Sequence, residues 1–483
     1  MKYRMLFLGM FILFALFAHA QQTSETKIGV DFFGAFGSGK HTPFWLTSNT
    51  FGKVPITMSN GFASARLLHK QRLSNYFSWS SGFEGVSVTP RYRHFYIQQL
   101  YLEASYKCFS LNVGSRERYF SLLDKDLSSG DMVQSSNARP IPEINVSIPQ
   151  FTVLPKSKGW LQLRGDFAVA RSFDTDYLKD FSIPRGNYIK NVLWHHKSLD
   201  LRIHDTHGTF PLSAIIGVHH WAQWGGSSTN PRLGRQPQGL GDFVRIVFGR
   251  EGGKNAPLAD QVNVLGNHYG MYDMQLSFEK NDWKLTAYHQ HYYEDKSGML
   301  FINGQDGLWG LQIDLPKNIG WLNKVVIEKL ETRDQSGPFH FIHIDYSLHH
   351  GPGGGSDDYY NNQEYTTGAS YFNRSIGSPL IPSPEYNQDG IVGYLNNRVS
   401  DWHIGLNGGI SNISYRMLAT TMNTWGTHKR PFLNKKRDFS ALLDVSYHHP
   451  RLEGWNFKVS LAGDKGSLFG DNFAVAAGLS LVL

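Results

Sequence analysis

Apolar and polar residues alternate along much of this chain with a period of two. The segment NFAVAAGLSLVL (472–483) sets the pattern. Phe473, Val475, Ala477, Leu479, Leu481 and Leu483 point one way; Ala474, Ala476, Gly478, Ser480 and Val482 point the other. Successive side chains of a strand face opposite sides, so this is a strand with one greasy face and one small or polar face. Upstream, WNFKVSLAG sets Trp455, Phe457, Val459 and Leu461 against Asn456, Lys458, Ser460 and Ala462. DFSALLDVSYH, ISYRMLAT and DWHIGLNGGI repeat the arrangement, with Phe439, Val445, Tyr447, Ile413, Met417, Trp402 and Ile404 on their apolar faces. Aromatic residues stand near the ends of these faces. The opposite faces mix Ser, Asn, His, Asp and Gly with an occasional Lys or Arg, which suits a polar lumen better than the Lys- and Glu-rich surface of a soluble sandwich.

The pattern recurs at Ile28-Val30-Phe32, Tyr272-Met274-Leu276-Phe278, Trp283-Leu285-Ala287 and Trp309-Leu311-Ile313-Leu315. It is less clean at Trp160-Leu161-Leu163 and Ile215-Ile216-Val218. The opening MKYRMLFLGMFILFALFAHAQQ has Lys2 and Arg4, an apolar run, then Ala18-His19-Ala20, the form of a cleaved export signal. The expected organisation is a signal peptide over 1–20 and one barrel domain over 21–483. An exported chain whose strands are greasy on one side reads as an all-β, transmembrane antiparallel β-barrel in the outer membrane, placed there by the outer-membrane insertion machinery and surrounded by its lipid. At about 10 residues per strand plus turns, its length accommodates roughly 16 to 18 strands. Unpaired strand edges in hydrocarbon cost several kcal/mol per group, so the last strand is expected to close the barrel by pairing with the strand near Ile28. The glycine-rich GPGGGSDDYYNN (351–362) reads as a long loop.

Composition narrows the chemistry. Net charge is +7, without a long basic run, which argues against a nucleic-acid partner. Cys108 is the one cysteine, so no internal disulfide forms; it lies between two strand-like runs and is expected in a turn or facing lipid. Histidine is abundant at 21 copies, often paired, as in His195-His196 and His219-His220. Neighbours on a strand point to opposite faces, so such a pair does not chelate one ion. There is no HExxH, no Cys/His finger, no GxSxG and no SxxK, and neither a metal, a cofactor nor an enzymatic activity is expected.

Several stretches break the alternation and mix polar groups with aromatics: HTPFWLTSN (41–49), DLSSGDMVQSSNARPIPEI (126–144), VHHWAQWGG (218–226), LGNHYGMYD (265–273), HQHYYEDKSG (289–298), NGQDGLWG (303–310) and EKLETRDQSGP (328–338). Aromatic faces stack on sugar rings, and carboxylates and amides bond sugar hydroxyls. The carbohydrate-binding candidates are therefore Trp221, Trp224 and Trp309 for stacking, with Gln223, Glu294, Asp295 and Asp306 as hydrogen-bond partners. The same stretches would also arise as plug and rim residues satisfying one another.

In their order these motifs resemble the capsule assembly Wzi family of outer-membrane proteins, in its Bacteroidetes-type form. PFWL, SSG followed by NARPIP, HHWAQWGG, GNH followed by Tyr272-Asp273, Tyr293-Glu294-Asp295 followed by Ser297-Gly298, DGLWG, and Glu331-Thr332 followed by Gln335-Ser336-Gly337-Pro338 carry the resemblance, which spans about residue 28 to the C-terminus. The resemblance implies a barrel of about 18 strands with a plugged lumen, closed by a periplasmic helical segment and an infolded loop. It implies a monomeric lectin that holds capsular or surface polysaccharide, not an enzyme. The chain departs from the commoner pattern by ending in Leu483 rather than an aromatic. A porin-like diffusion channel and a barrel hydrolase are the alternatives.

Overall fold

The computed structural model describes residues 23–90, 94–183, 186–337, 355–387 and 389–483. The expected export signal lies outside the described residues, as do Pro338 and residues 351–354 of the glycine-rich stretch. The alternating segments fall within a larger set of strands: β1 (Thr23–Ser38), β2 (Asn60–Arg72), β3 (Phe77–Thr89), β4 (Phe95–Tyr106), β5 (Phe109–Ser115), β6 (Glu143–Val153), β7 (Leu161–Arg171), β8 (Leu193–His204) and β9 (Leu212–Trp224). They continue as β10 (Asn267–Lys280), β11 (Trp283–Tyr293), β12 (Gly307–Asp314), β13 (Lys324–Glu331), β14 (Ser400–Ile410), β15 (Ile413–Gly426), β16 (Pro431–His448), β17 (Trp455–Gly466) and β18 (Asn472–Val482).

Each strand pairs antiparallel with its neighbours in sequence, and β1 also pairs with β18, so the 18-stranded sheet closes on itself. The seam is tight: Ile28 N donates to Leu483 O at 2.9 Å and Leu483 N to Ile28 O at 2.8 Å. Closure leaves no unpaired edge to face hydrocarbon. The face assignment follows the alternation. Val459, Leu461, Phe473 and Val475 are exposed on the outer wall, while Ser460, Ala462, Asn472 and Ala474 are buried inside. Outward aromatics form two belts. Tyr76, Trp160, Trp283 and Trp321 stand at the end with short turns, and Phe36, Phe95, Trp309 and Trp402 at the other, with exposed aliphatic side chains between. Cys108 sits in the tight turn between β4 and β5.

The chain enters and leaves the sheet at the short-turn end. The long connections all gather at the opposite end, and three of them fold inward. The β5–β6 connection (116–142) dives furthest. Asp124 pairs with Lys324 at 2.6 Å, and Asp126 O accepts from Arg416 Nη1 at 3.2 Å, both near the short-turn end of their strands. Climbing back, Leu127 O bonds His403 Nε2 at 2.8 Å, and Glu328 accepts from Ser128 Oγ, Ser129 N and Tyr288 Oη, each at 2.7 Å. Gly405 faces this segment, and a Cβ there would lie 2.4 Å from Leu127 O. The β1–β2 connection seats Trp45, whose Nε1 donates to Thr420 Oγ1 at 2.9 Å. Residues 355–387 and 389–399 lie over both, and the fully buried Arg374 ties the layers by donating to Thr47 O at 2.9 Å and pairing with Glu385 at 2.6 Å.

The lumen wall is otherwise a lattice of ion pairs, among them Arg164–Asp200 at 2.7 Å and Arg416–Asp444 at 2.5 Å, and of histidine–carboxylate contacts, His219–Asp200 at 2.8 Å and His196–Glu143 at 2.7 Å. Charges this buried persist only when paired and hydrogen-bonded. One implied feature differs. Among the described residues no α-helix lies at the short-turn end; the lumen is filled from the long-loop end by largely extended segments. Tyr359, Tyr360, Tyr365, Ile381 and Met132 supply the apolar contacts that a helical plug would have given.

Candidate functional site

DLSSGDMVQSSNARPIPEI and HTPFWLTSN lie on infolded connections; the other motif stretches converge at the long-loop end, where strands leave the hydrocarbon zone. There they grip the infolded segments. Gln223 lies inside the wall of β9, fully buried; its Nε2 donates to Gly368 O at 2.9 Å, and its Oε1 accepts from Asn267 Nδ2 at 2.7 Å. Trp221, on the same inner face, stacks on His196 with ring centroids 4.4 Å apart and packs edge-on against Trp194. Asp306, 1% exposed, accepts from Asp334 N at 3.2 Å and Gln335 N at 2.8 Å. Burial pushes its carboxyl up to about 7.

Two stacking candidates stand elsewhere. Trp224 points outward, 5.4 Å from the ring of Phe243 and buried beneath the β9–β10 connection. Trp309 is on the outer wall, 45% exposed, with its ring stacked 3.6 Å from His289 and its Nε1 donating to Gln305 O. The period-two parity that puts Leu311 and Ile313 on the greasy face puts Trp309 there too. It belongs to the aromatic belt, away from the cavity described next.

A cleft of about 1420 Å³ opens at this end, over β9, β10 and β11. Glu294 and Asp295 line it, the two sequence candidates that reach it. Glu294 Oε1 accepts from Tyr292 Oη at 2.9 Å and from Tyr360 N at 2.7 Å. Burial, followed by the nearby Asp357, holds its carboxyl well above the ordinary range. Asp295 caps the short helix Lys296–Met299, accepting from Ser297 N at 2.7 Å. The sequence reading missed Asp357, Asp358, Asn361 and Asn362, which line the same cleft from the DDYYNN part of the stretch taken for a plain loop. Burial, then repulsion from Asp295, raises Asp357 to about 7, against bonds from Ser336 and Ser297. Lys429 answers with an ion pair to Asp358 at 3.1 Å. Acid, amide and tyrosine side by side was the available signal; it shows only that a polar cluster exists, not where the loop returns. Among the described residues no group of three or more His, Cys, Asp or Glu is placed to hold a metal ion. The cleft offers hydroxyl-bonding acceptors beside aromatic and aliphatic walls.

No protein-family model matches the chain, and no curated protein matches it in sequence. Among solved structures it is similar to Wzi of Escherichia coli, titled an outer-membrane protein involved in group 1 capsule assembly and a carbohydrate-binding β-barrel. That likeness has 11% identity and a TM-score of 0.59, covering 94% of this chain and 84% of that one. It also matches OccK5 and OprD of Pseudomonas aeruginosa, at 9% and 8% identity with TM-scores of 0.46 and 0.44. OccK5 is covered over 98% and OprD over 95% of its length, each by 95% of this chain. At 11% identity what the chain shares with Wzi is the fold, a closed outer-membrane-type barrel.

Proposed function

We propose that this protein is a non-enzymatic outer-membrane barrel that binds capsular or surface polysaccharide at the rim cleft and supports capsule assembly at the cell surface. The observation that carries the reading is the division of the molecule: a lumen packed with infolded segments, and a large polar-edged cleft at the end with the long connections. Bacterial barrels carry short turns on the periplasmic side and long loops outside, so the cleft faces the capsule. The likeness to Wzi supports the same reading. Glu294 and Asp295, with Asp357 and Asn361, are the sugar-bonding groups; Trp221, Gln223 and Asp306 seat the plug beneath them.

Two measurements on one preparation test this. The purified protein is titrated with the host's own surface polysaccharides, and its conductance is recorded in planar bilayers. Saturable binding that weakens about 5- to 150-fold in Glu294→Ala, the scale of one lost hydroxyl partner, with the variant shown to be folded by heat-modifiable mobility and with little conductance, is the expected result. Stable open-pore conductance without polysaccharide binding would overturn it in favour of a diffusion channel.

A further inference from the structure

The cleft does not stop at the rim. Val218 and His220 lie on the outward face of β9 and Tyr293 on that of β11, yet they line the same cavity as Asn361, Asn362 and Glu364, which belong to the segment packed over the lumen. The cavity crosses the barrel edge at residues 266–268, where β10 begins. Its outer half is bounded by the β9–β10 connection, which turns back against the outer wall. There the helix Leu240–Val247 buries Ile246 against Ala222, Trp224 and Leu265. Lys197 donates to Val247 O at the C-terminal end of that helix. This cover explains outward polar side chains at positions where the wall should be greasy: the His195 ring meets Phe243 at 5.6 Å, and His220 Nε2 lies 2.9 Å from His268 Nδ1.

What the cover leaves facing the outer half is apolar. Val218, Phe248, Val264 and Met299 are 44%, 67%, 36% and 45% exposed. This surface runs on into the lipid-facing wall through Ile216, so a hydrocarbon chain reaches it from the bilayer without crossing water. The inner half, over the rim, presents Glu294, Asp357 and Asn361. A bare polysaccharide would satisfy the inner half and leave the apolar outer half wetted, forgoing the gain that burying apolar surface gives.

We propose that the rim cleft binds a glycan carrying an acyl chain, with the sugar against Glu294, Asp357 and Asn361 and the chain against Val218, Phe248, Val264 and Met299. This rests on the polysaccharide-binding reading above and names the form of its ligand. The test uses the full-length protein in amphipol. The probes are lipopolysaccharide and the acylated capsule fraction of the host, each intact and after alkaline deacylation. The expected result is that at least one intact probe binds about tenfold or more tighter than its deacylated form. The double variant Phe248→Ser, Met299→Ser, both exposed, should erase that difference and leave binding of the deacylated glycan unchanged. Heat-modifiable gel mobility confirms that the variant is folded. Which probe shows the difference distinguishes the two sources of acylated glycan. If the wild-type protein binds intact and deacylated forms equally, the acyl-chain inference is overturned while glycan binding stands. If it binds neither form, the underlying reading falls with it.

Discussion

Lys458 and Val459 are adjacent and face different solvents. Val459 is 53% exposed on the outer wall near the middle of β17, and Lys458 lies inside, 3.5 Å from Asp444. Val459→Arg should destabilise the barrel by about 2–4 kcal/mol, as a cation near the bilayer midplane does. Lys458→Ala, which removes one of Asp444's partners and leaves Arg416, should cost much less. Equal loss of folded, heat-modifiable protein in the two variants would show the face assignment to be wrong. The histidine pairs obey the same parity. His196 and His219 turn in to Glu143 and Asp200, and His195 and His220 turn out beneath the helix Leu240–Val247. A titratable residue at the rim gives a second prediction. Asp306 has an ordinary carboxylate pKa when unfolded and about 7 when folded, so the native state binds more protons between those values. Its contribution to stability is therefore greatest at low pH and is lost as pH rises towards 7. Asp357 acts in the same direction. The Tm, by scanning calorimetry, should fall between pH 5 and pH 8, and fall less in Asp306→Asn, which keeps an oxygen for the Asp334 and Gln335 amides.

The connection 116–142 fills the lumen over most of its depth. Its contacts are spread along the lumen, from Asp124 on Lys324 to Met132 N on Gln290 Oε1 at 3.1 Å. Glu328 holds it with two bonds at mid-depth, from Ser128 Oγ and Ser129 N, and is itself braced by Tyr288 of β11. Replacing residues 121–136 by a short Gly-Ser linker should leave the sheet intact and give stable conductance steps in planar bilayers. Glu328→Ala and Gly405→Val should give brief openings instead, the first by freeing Ser128 and Ser129, the second by driving a side chain into Leu127 O. A deletion that stays silent in bilayers would mean that residues 39–59 and 355–399 alone seal the lumen.

At the scale of the whole molecule the seam between β1 and β18 governs stability. Removing residues 472–483 exposes the edge groups of β1 and β17, at several kcal/mol for each one left in hydrocarbon. The truncated chain should fail to acquire heat-modifiable mobility or to fractionate with membranes. We propose that the export signal is removed after Ala20, since Ala18 and Ala20 flank His19 in the small-x-small form. Intact mass of the membrane-purified protein checks this, with Gln21 as the expected first residue.

Period two was enough to assign strands and faces where the alternation is clean, as in β14 to β18, while β2, β3, β6, β8 and β13 went unread; closure followed from the cost of unpaired edges. The outer face is a local property: every other residue meets lipid, whatever lies across the lumen, so Phe473, Val475, Trp402 and Ile404 could be assigned from their own segments. The placement of Trp309 was legible in the same way. It shares a parity with Leu311 and Ile313, and that parity outweighs its neighbourhood of polar residues. The inner face was legible only as polar. Whether Gln223, Asp306 or Glu294 bonds a sugar or the protein itself depends on where Gly368, Gln335 and Tyr360 return after long excursions of the chain. Gly-, Ser- and Asn-rich connections carry no periodicity that encodes such a return. The sequence by itself determined a lipid-facing barrel closed by its terminal strands. Only the tertiary structure decided that most of the polar-aromatic motifs are spent on seating a plug. It also decided that the cleft straddles the rim, because both features depend on contacts between residues far apart in the chain.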